Sequence, residues 1–254
     1  MSVPDKASDK GSLVAERTLK ALLLFTEQKM LSVLEIATAL EISQTAAYRI
    51  VHTLFELGFL KRGQEKKYML DTVILKLADM VDSDLRSIAT PIMKELMQEF
   101  NESIELSVSY NPLHYVIIEE IESSNSLKWT SPIGEPRSLY AGIGKTHLAF
   151  KGSKAVEELL NNTDLVPYTK NTITDVEQLK QELQTIQNCG YGISRGEHTE
   201  GVVGISVPIM DTDQKIAKAV LSTVIPDNRF REDQLFSYIS RLQEAAKRIG
   251  AFIR

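Results

Sequence analysis

Between Ser32 and Tyr68 the apolar positions change period twice, and the changes mark out separate elements. Leu34, Ile36, Ala37 and Leu40 fall close to helical spacing and predict a short helix over Ser32–Leu40. Glu41-Ile42-Ser43 then reads as a tight turn, with Ser43 placed to accept a hydrogen bond from a free N–H of the next helix. That helix, Gln44–Leu57, carries Ala47, Ile50, Val51, Leu54 and Leu57 on its apolar stripe, and Gly58 suits the left-handed residue that ends a helix. Phe59–Arg62 and Lys67–Leu70 predict two strands around Gly63-Gln64-Glu65-Lys66, a hairpin with basic flanks. Helix, turn, helix and basic hairpin in this order is the pattern of a winged helix-turn-helix, a DNA-reading unit.

Upstream, Leu13–Lys29 predicts an amphipathic helix with Val14, Leu19, Leu22, Leu23 and Phe25 inward, which places a winged helix-turn-helix domain at 13–70. Residues 1–12 are polar and aperiodic, as in a disordered arm. A linker over 71–83 contains the helix Asp71–Val81, whose apolar content exceeds what a solvated spacer needs and implies packing against a partner chain. From 84 to 254 helices alternate with strands. The helices are expected at Leu85–Phe100 (started or kinked by Pro91), Gly142–Phe150, Ala155–Leu160, Val176–Gln187 and Phe230–Ile253. The strands are expected at Glu102–Tyr110, His114–Ile121, Leu127–Thr130, Gly192–Arg195, Val202–Met210 and Lys215–Val224, with turns over Pro132–Arg137 and Asp211-Thr212-Asp213. The pattern is α+β, a sheet with helices on its faces, a shape common in small-molecule sensing domains.

The polar face of Gln44–Leu57 carries candidate chemistry. Gln44, Thr45, Tyr48 and Arg49 lie in its first half, where a recognition helix meets base edges, and Gln and Arg have the bidentate geometry that distinguishes adenine and guanine. Arg62, Lys66 and Lys67 on the hairpin, with Lys61, suit phosphate contact, and Arg17 and Lys20 are placed to reach the DNA backbone. Net charge over the 254 residues is −5, yet residues 1–70 carry about +2 and the remainder about −7, which puts the nucleic-acid end first. No run of about eighteen apolar residues and no signal segment is present, so a membrane is not expected. The single cysteine, Cys189, excludes an internal disulfide and fits a reducing cytoplasm. The four histidines lack metal-ligand spacing, so neither metal nor cofactor is implied.

Two other function classes fit less well. An enzyme would have to use Arg195, Glu197 and His198 in RGEHTEG, but neighbours on a strand point to opposite faces. Neither a nucleophile elbow, nor a phosphate loop, nor a dinucleotide fingerprint occurs. Glu197 is instead expected to make a structural hydrogen bond, with Gly196, Gly201 and Gly204 permitting close turns. A winged-helix scaffold binding protein partners is the alternative; the clustered hairpin cations favour DNA.

Over nearly its whole length the chain resembles an IclR-family transcriptional regulator. The resemblance is carried by VAERTLKALLLF, SVLEIATALEISQTAAYRIVHTLFELGFLKR, SPIGEPRSLYAGIGKTHLAF, NTITDVEQLKQELQTIQNCGYGISRGEHTEGVVGISVPIMD and AKAVLSTVIP. It implies an N-terminal winged helix-turn-helix, a linker helix and a C-terminal GAF-like effector-binding domain with a central antiparallel sheet. It also implies homodimers or homotetramers that bind palindromic double-stranded DNA as repressors or activators under control of a small-molecule effector. Matching residue by residue, the effector pocket would be lined by Trp129, Arg137, Gly142, Ile143, Ser194, Val202, Gly204, Ser222 and Val224. Arg137 would pair with a carboxylate, Ser194 and Ser222 would hydrogen-bond, and Trp129 would offer a flat apolar face. The chain departs from the family pattern at Gly204, Val224 and Met210, and its Tyr140–Lys145 segment is one residue short. Loss of polar groups there disfavours a very small polar acid such as glyoxylate and favours a larger, more apolar one such as an aromatic acid.

Overall fold

Ser32 opens the helix-turn-helix with a reciprocal cap. Its hydroxyl accepts from Glu35 N at 3.2 Å while the Glu35 carboxylate accepts from Ser32 N at 2.6 Å, so two free helix-end donors are satisfied at once. The computed structural model describes residues 12–81, 83–211 and 217–253, and divides after Val81, inside the expected linker, into two compact units. The first contains α1 (Leu13–Leu23), α2 (Val33–Ala39), α3 (Gln44–Glu56), β1 (Leu60–Arg62), β2 (Tyr68–Leu70) and α4 (Val73–Asp79). Its core gathers Ala21, Phe25, Ile36, Ala37, Ala47, Val51, Leu54 and Leu60. Ser43 caps α3 by accepting from Ala46 N, and Gly58 takes φ +76° beyond it.

Several expected inward positions are exposed. Leu34, Leu57, Val14, Leu19 and Leu23 all face out. α1 ends at Leu23 and gives way to a 3-10 turn over Leu24–Thr26, so its buried contribution narrows to Ala21, followed by Phe25 on the turn. α4 buries none of its residues, and Leu75, Leu77, Met80 and Val81 are exposed. Of the expected arm, residues 1–11 lie outside the described residues; Ser12 caps α1.

The second unit runs through α5 (Ser83–Phe100), β3 (Ser103–Ser109), β4 (His114–Ile121), β5 (Arg137–Ser138), α6 (Gly144–Ala149), α7 (Ser153–Asn162), α8 (Val176–Cys189), β6 (Gly192–Arg195), β7 (Val202–Met210), β8 (Ala217–Pro226) and α9 (Leu235–Gly250). Its antiparallel sheet has the order β5-β4-β3-β8-β7-β6. One face packs Ile104, Leu106, Ile205, Val207 and Leu221 against α5 and α9. A second core joins Tyr115 and Ile117 of β4 to α6, α7 and α8.

Differences from the sequence pattern have local causes. Leu127–Thr130 is irregular rather than a strand, because its carbonyls are taken by side chains: Arg229 Nη1 donates to Leu127 O and Ser103 Oγ to Trp129 O, both at 2.7 Å. The edge strand is β5, from the end of the expected Pro132–Arg137 turn. α5 continues through Pro91, which sits inside it, rather than restarting there. The final helix begins at Leu235, after a 3-10 turn over Glu232–Gln234. RGEHTEG leaves β6 at Arg195 and bends, so Glu197 and His198 are not strand neighbours. The expected turn at Asp211-Thr212-Asp213 and the start of the last strand at Lys215 lie outside the described residues, apart from Asp211.

Candidate DNA-reading face and effector pocket

On the first unit, α2, α3 and the β1–β2 hairpin enclose one groove. Gln44, Thr45 and Tyr48 project into it from α3, Arg62, Gly63 and Lys66 from the hairpin, and Ser32, Val33 and Leu34 from α2. Arg49 is exposed on the same helix but outside the groove lining, and Arg17, half-buried on α1, is also outside it. The Ser43 hydroxyl is occupied with its cap. The Arg62 guanidinium lies 5.6 Å from the Phe55 ring centre, which limits its freedom while leaving it at the groove wall. Lys67 behaves differently from Lys66. Its Nζ donates to Glu35 at 2.9 Å, joining the hairpin to the capping box of α2 and holding the Glu35 carboxyl down at about 2. A cation so engaged fixes the hairpin before it meets any phosphate. Leu34 was hidden from sequence reasoning, since its spacing placed it on the buried stripe; exposed at the groove, it is an apolar surface of the kind that meets a thymine methyl.

On the second unit, the sheet face opposite α5 and α9 is polar where it should be apolar. Across the register run Ser206, Ser222, Glu105 and Glu120 in one row, and Ser194, Gly204, Val224 and Ser103 in the next. Above these rows a pocket is lined by eight of the expected residues: Trp129, Arg137, Gly142, Ile143, Ser194, Val202, Gly204 and Val224. Ser222 does not line it. It is fully buried beneath, with its hydroxyl 3.5 Å from Glu105. Glu105, Tyr115, His198 and Thr199 line the pocket without having been expected there. A Cβ on Gly204 would stand 3.2 Å from Ile143 Cγ2, so the glycine lets the Ile143 loop approach the sheet.

The electrostatics are those of a desolvated polar site. Ser131 Oγ donates to Glu105 at 2.5 Å, and Ser131 N donates to both oxygens of Glu120 at 3.2 Å. Burial raises the pKa of both carboxyls, with Glu120 at about 7. Burial also raises the Tyr115 hydroxyl and lowers His198, which stacks on Tyr168 at 4.7 Å. Arg137 lies against Tyr115 and makes no ion pair with a carboxylate among the described residues. Trp129, which lines the pocket, donates from Nε1 to Ser131 at 3.0 Å. The cavity is about 40 Å³, room for a few waters, so a larger guest requires its lining to open. Glu105, Tyr115 and His198 add polar groups to a lining that is otherwise mostly apolar.

Behind the pocket, Glu197 does more than the single structural hydrogen bond expected of it. Lys145, 1% exposed on α6, reaches Glu197 at 2.6 Å and Glu182 of α8 at 2.7 Å, while Gly142 N donates to Glu197 at 3.3 Å. This ties the 196–201 loop to two helices.

Comparisons with known proteins agree with this arrangement. Residues 14–63 match the family described as the IclR helix-turn-helix domain, and residues 78–251 match bacterial transcriptional regulator IclR C-terminal. The chain is 30% identical to the HTH-type transcriptional regulator KipR of Bacillus subtilis, over 92% of this chain and 94% of that one. It is 30% identical to the HTH-type transcriptional regulator KdgR of Escherichia coli, over 97% and 94%. Among solved structures, the Thermotoga maritima IclR superposes with TM-score 0.80 at 28% identity, covering 93% of this chain and 97% of that one. An IclR homolog from Microbacterium hydrocarbonoxydans, complexed with 4-hydroxybenzoate, shares the fold at TM-score 0.84 and 24% identity, covering 95% and 99%.

Proposed function

This chain belongs to the IclR family of bacterial transcriptional regulators, and from that premise we propose how its own residues read DNA and sense an effector. The groove that gathers Gln44, Thr45 and Tyr48 beside Arg62 and Lys66 carries the DNA reading. The start of α3 enters the major groove, with Arg49 beside it, while the hairpin cations and Arg17 hold phosphates. Ser43 and Lys67 serve chiefly by fixing α3 and the hairpin. The domains follow as a winged helix-turn-helix over 13–70, a linker over 71–83 and an effector domain over 84–254. Two copies, or four, present paired recognition helices to a palindromic operator in the cytoplasm, and the chain catalyses no reaction.

The effector occupies the C-terminal pocket and presents a carboxylate to Arg137, the lining cation that lacks an ion pair among the described residues. A carboxylate guest in the Microbacterium homolog is in keeping with that. Binding measurements on operator DNA test the reading. Arg49→Ala is expected to relax base preference, and Lys66→Ala to weaken all sequences alike and lower the salt slope by about 1. An unchanged footprint and affinity for Arg49→Ala would remove it from base reading.

A further inference from the structure

Glu105 sits on the floor of the pocket, 1% exposed, at the centre of its polar row. Its Oε1 accepts the short bond from Ser131, but Oε2 has only the long approach of Ser222 at 3.5 Å. No cation is within ion-pair distance of it among the described residues; Arg137 acts on it through space from the pocket wall. Resting on the effector reading above, we propose that Glu105 is the specificity-determining residue of the pocket, selecting acids that carry a hydroxyl as well as the carboxylate met by Arg137.

Three guests can be compared on chemistry. A plain acid sets methylenes against Oε2 and leaves that buried oxygen only the long bond from Ser222, which lowers affinity about 10-fold or more. A hydroxyl supplies both a donor and an acceptor at that point. An amino acid would bring its ammonium, stripped of water, close to Arg137, where like charges repel. Burial raises the Glu105 pKa, which favours the neutral acid, a form that can donate from Oε2. Glutamine copies that shape and its hydrogen-bonding capacity, whereas leucine removes it.

Calorimetric titration of the full chain with matched acids tests this: D-gluconate against hexanoate, 4-hydroxybenzoate against benzoate, and norleucine as the amino acid. The expected result is a hydroxy acid binding at least about 10-fold tighter than its plain partner and tighter than norleucine. Glu105→Gln keeps that ratio, Glu105→Leu brings the pair to within about twofold, and Arg137→Ala weakens both members. If Glu105→Leu does not fold, the wild-type ratio and Glu105→Gln still decide. Equal binding of plain and hydroxy acids, preference for norleucine, loss of the ratio in Glu105→Gln, or no binding by either hydroxy acid overturns the proposal. The effector reading fails separately, if Arg137→Ala leaves the binding of every acid unchanged.

Discussion

Lys145 and His147 lie on α6, every residue of which is buried, and each is settled in a different way. Lys145 is held between the carboxyls of Glu197 and Glu182. Lys145→Met is expected to destabilise by about 3–5 kcal/mol in urea melts, because it strands a buried carboxylate, with part of the loss recovered in Lys145→Met/Glu197→Gln. His147 stays neutral, bonded to Ser107 at 2.8 Å and stacked on Tyr115, with its pKa lowered to about 3 by burial. The unfolded chain therefore takes up this proton first. The stabilisation is complete above pH 6.5 and is lost as pH falls from 6.5 toward 3, by about 1.4 kcal/mol per unit. Glu120, raised to about 7, acts in the opposite sense between pH 7 and its ordinary value. Unfolding free energies from pH 7 to 4 are expected to show a shallower acid loss in His147→Gln than in wild type; parallel curves would contradict the assignment. These roles were illegible in sequence. The alternation of Ile104, Leu106 and Val108 marks a strand at Ser103–Ser109, but it does not reveal that Ser103, Glu105 and Ser107 between them are buried on the pocket side of the sheet. Trp129 and Arg137 were found only through the family resemblance, since nothing in their own spacing marks a pocket.

The hairpin between β1 and β2 turns through Glu65 and Lys66 at φ +55° and +59°, with Lys67 N bonded to Gln64 O at 3.0 Å. Two consecutive left-handed residues define a type I′ turn, which favours Asn-Gly. Glu65→Asn/Lys66→Gly is therefore expected to stabilise the chain by about 1–2 kcal/mol by relieving that strain, while weakening DNA binding through loss of Lys66. A thermal melt and a binding titration on one sample check both signs. Lys67→Ala is expected to destabilise the fold as well as DNA binding, because it frees Glu35 from the hairpin; weaker binding at unchanged stability would return Lys67 to simple phosphate contact. The helix-turn-helix was legible because caps and periodicity agree there: Ser43, Gly58 and the Ala47–Leu54 stripe fall where they were expected. The 127–130 segment was not, because the outcome there depends on hydrogen bonds to distant residues, Arg229 and Ser103.

The N-terminal unit leaves apolar side chains uncovered on two helices, Leu13, Val14, Leu19 and Leu23 on α1 and Leu75 and Leu77 on α4. Partner packing by the linker was an expectation of the sequence, and α4, with none of its residues buried within its own unit, is consistent with it. Leu75→Glu/Leu77→Glu is expected to shift sedimentation toward monomer and weaken operator binding; an unchanged assembly would locate the contact elsewhere. Among the described residues no helix is long and apolar enough to cross a membrane. The central claim is that α3 and the hairpin read a specific operator. Selection of genomic fragments by the purified chain at physiological salt, followed by sequencing, tests it most directly. The account expects an enriched palindrome that is lost in Gln44→Ala/Tyr48→Ala/Arg49→Ala while the fold persists. An operator still enriched by that variant, or no enrichment by the folded wild type with and without cell-extract metabolites, would contradict it.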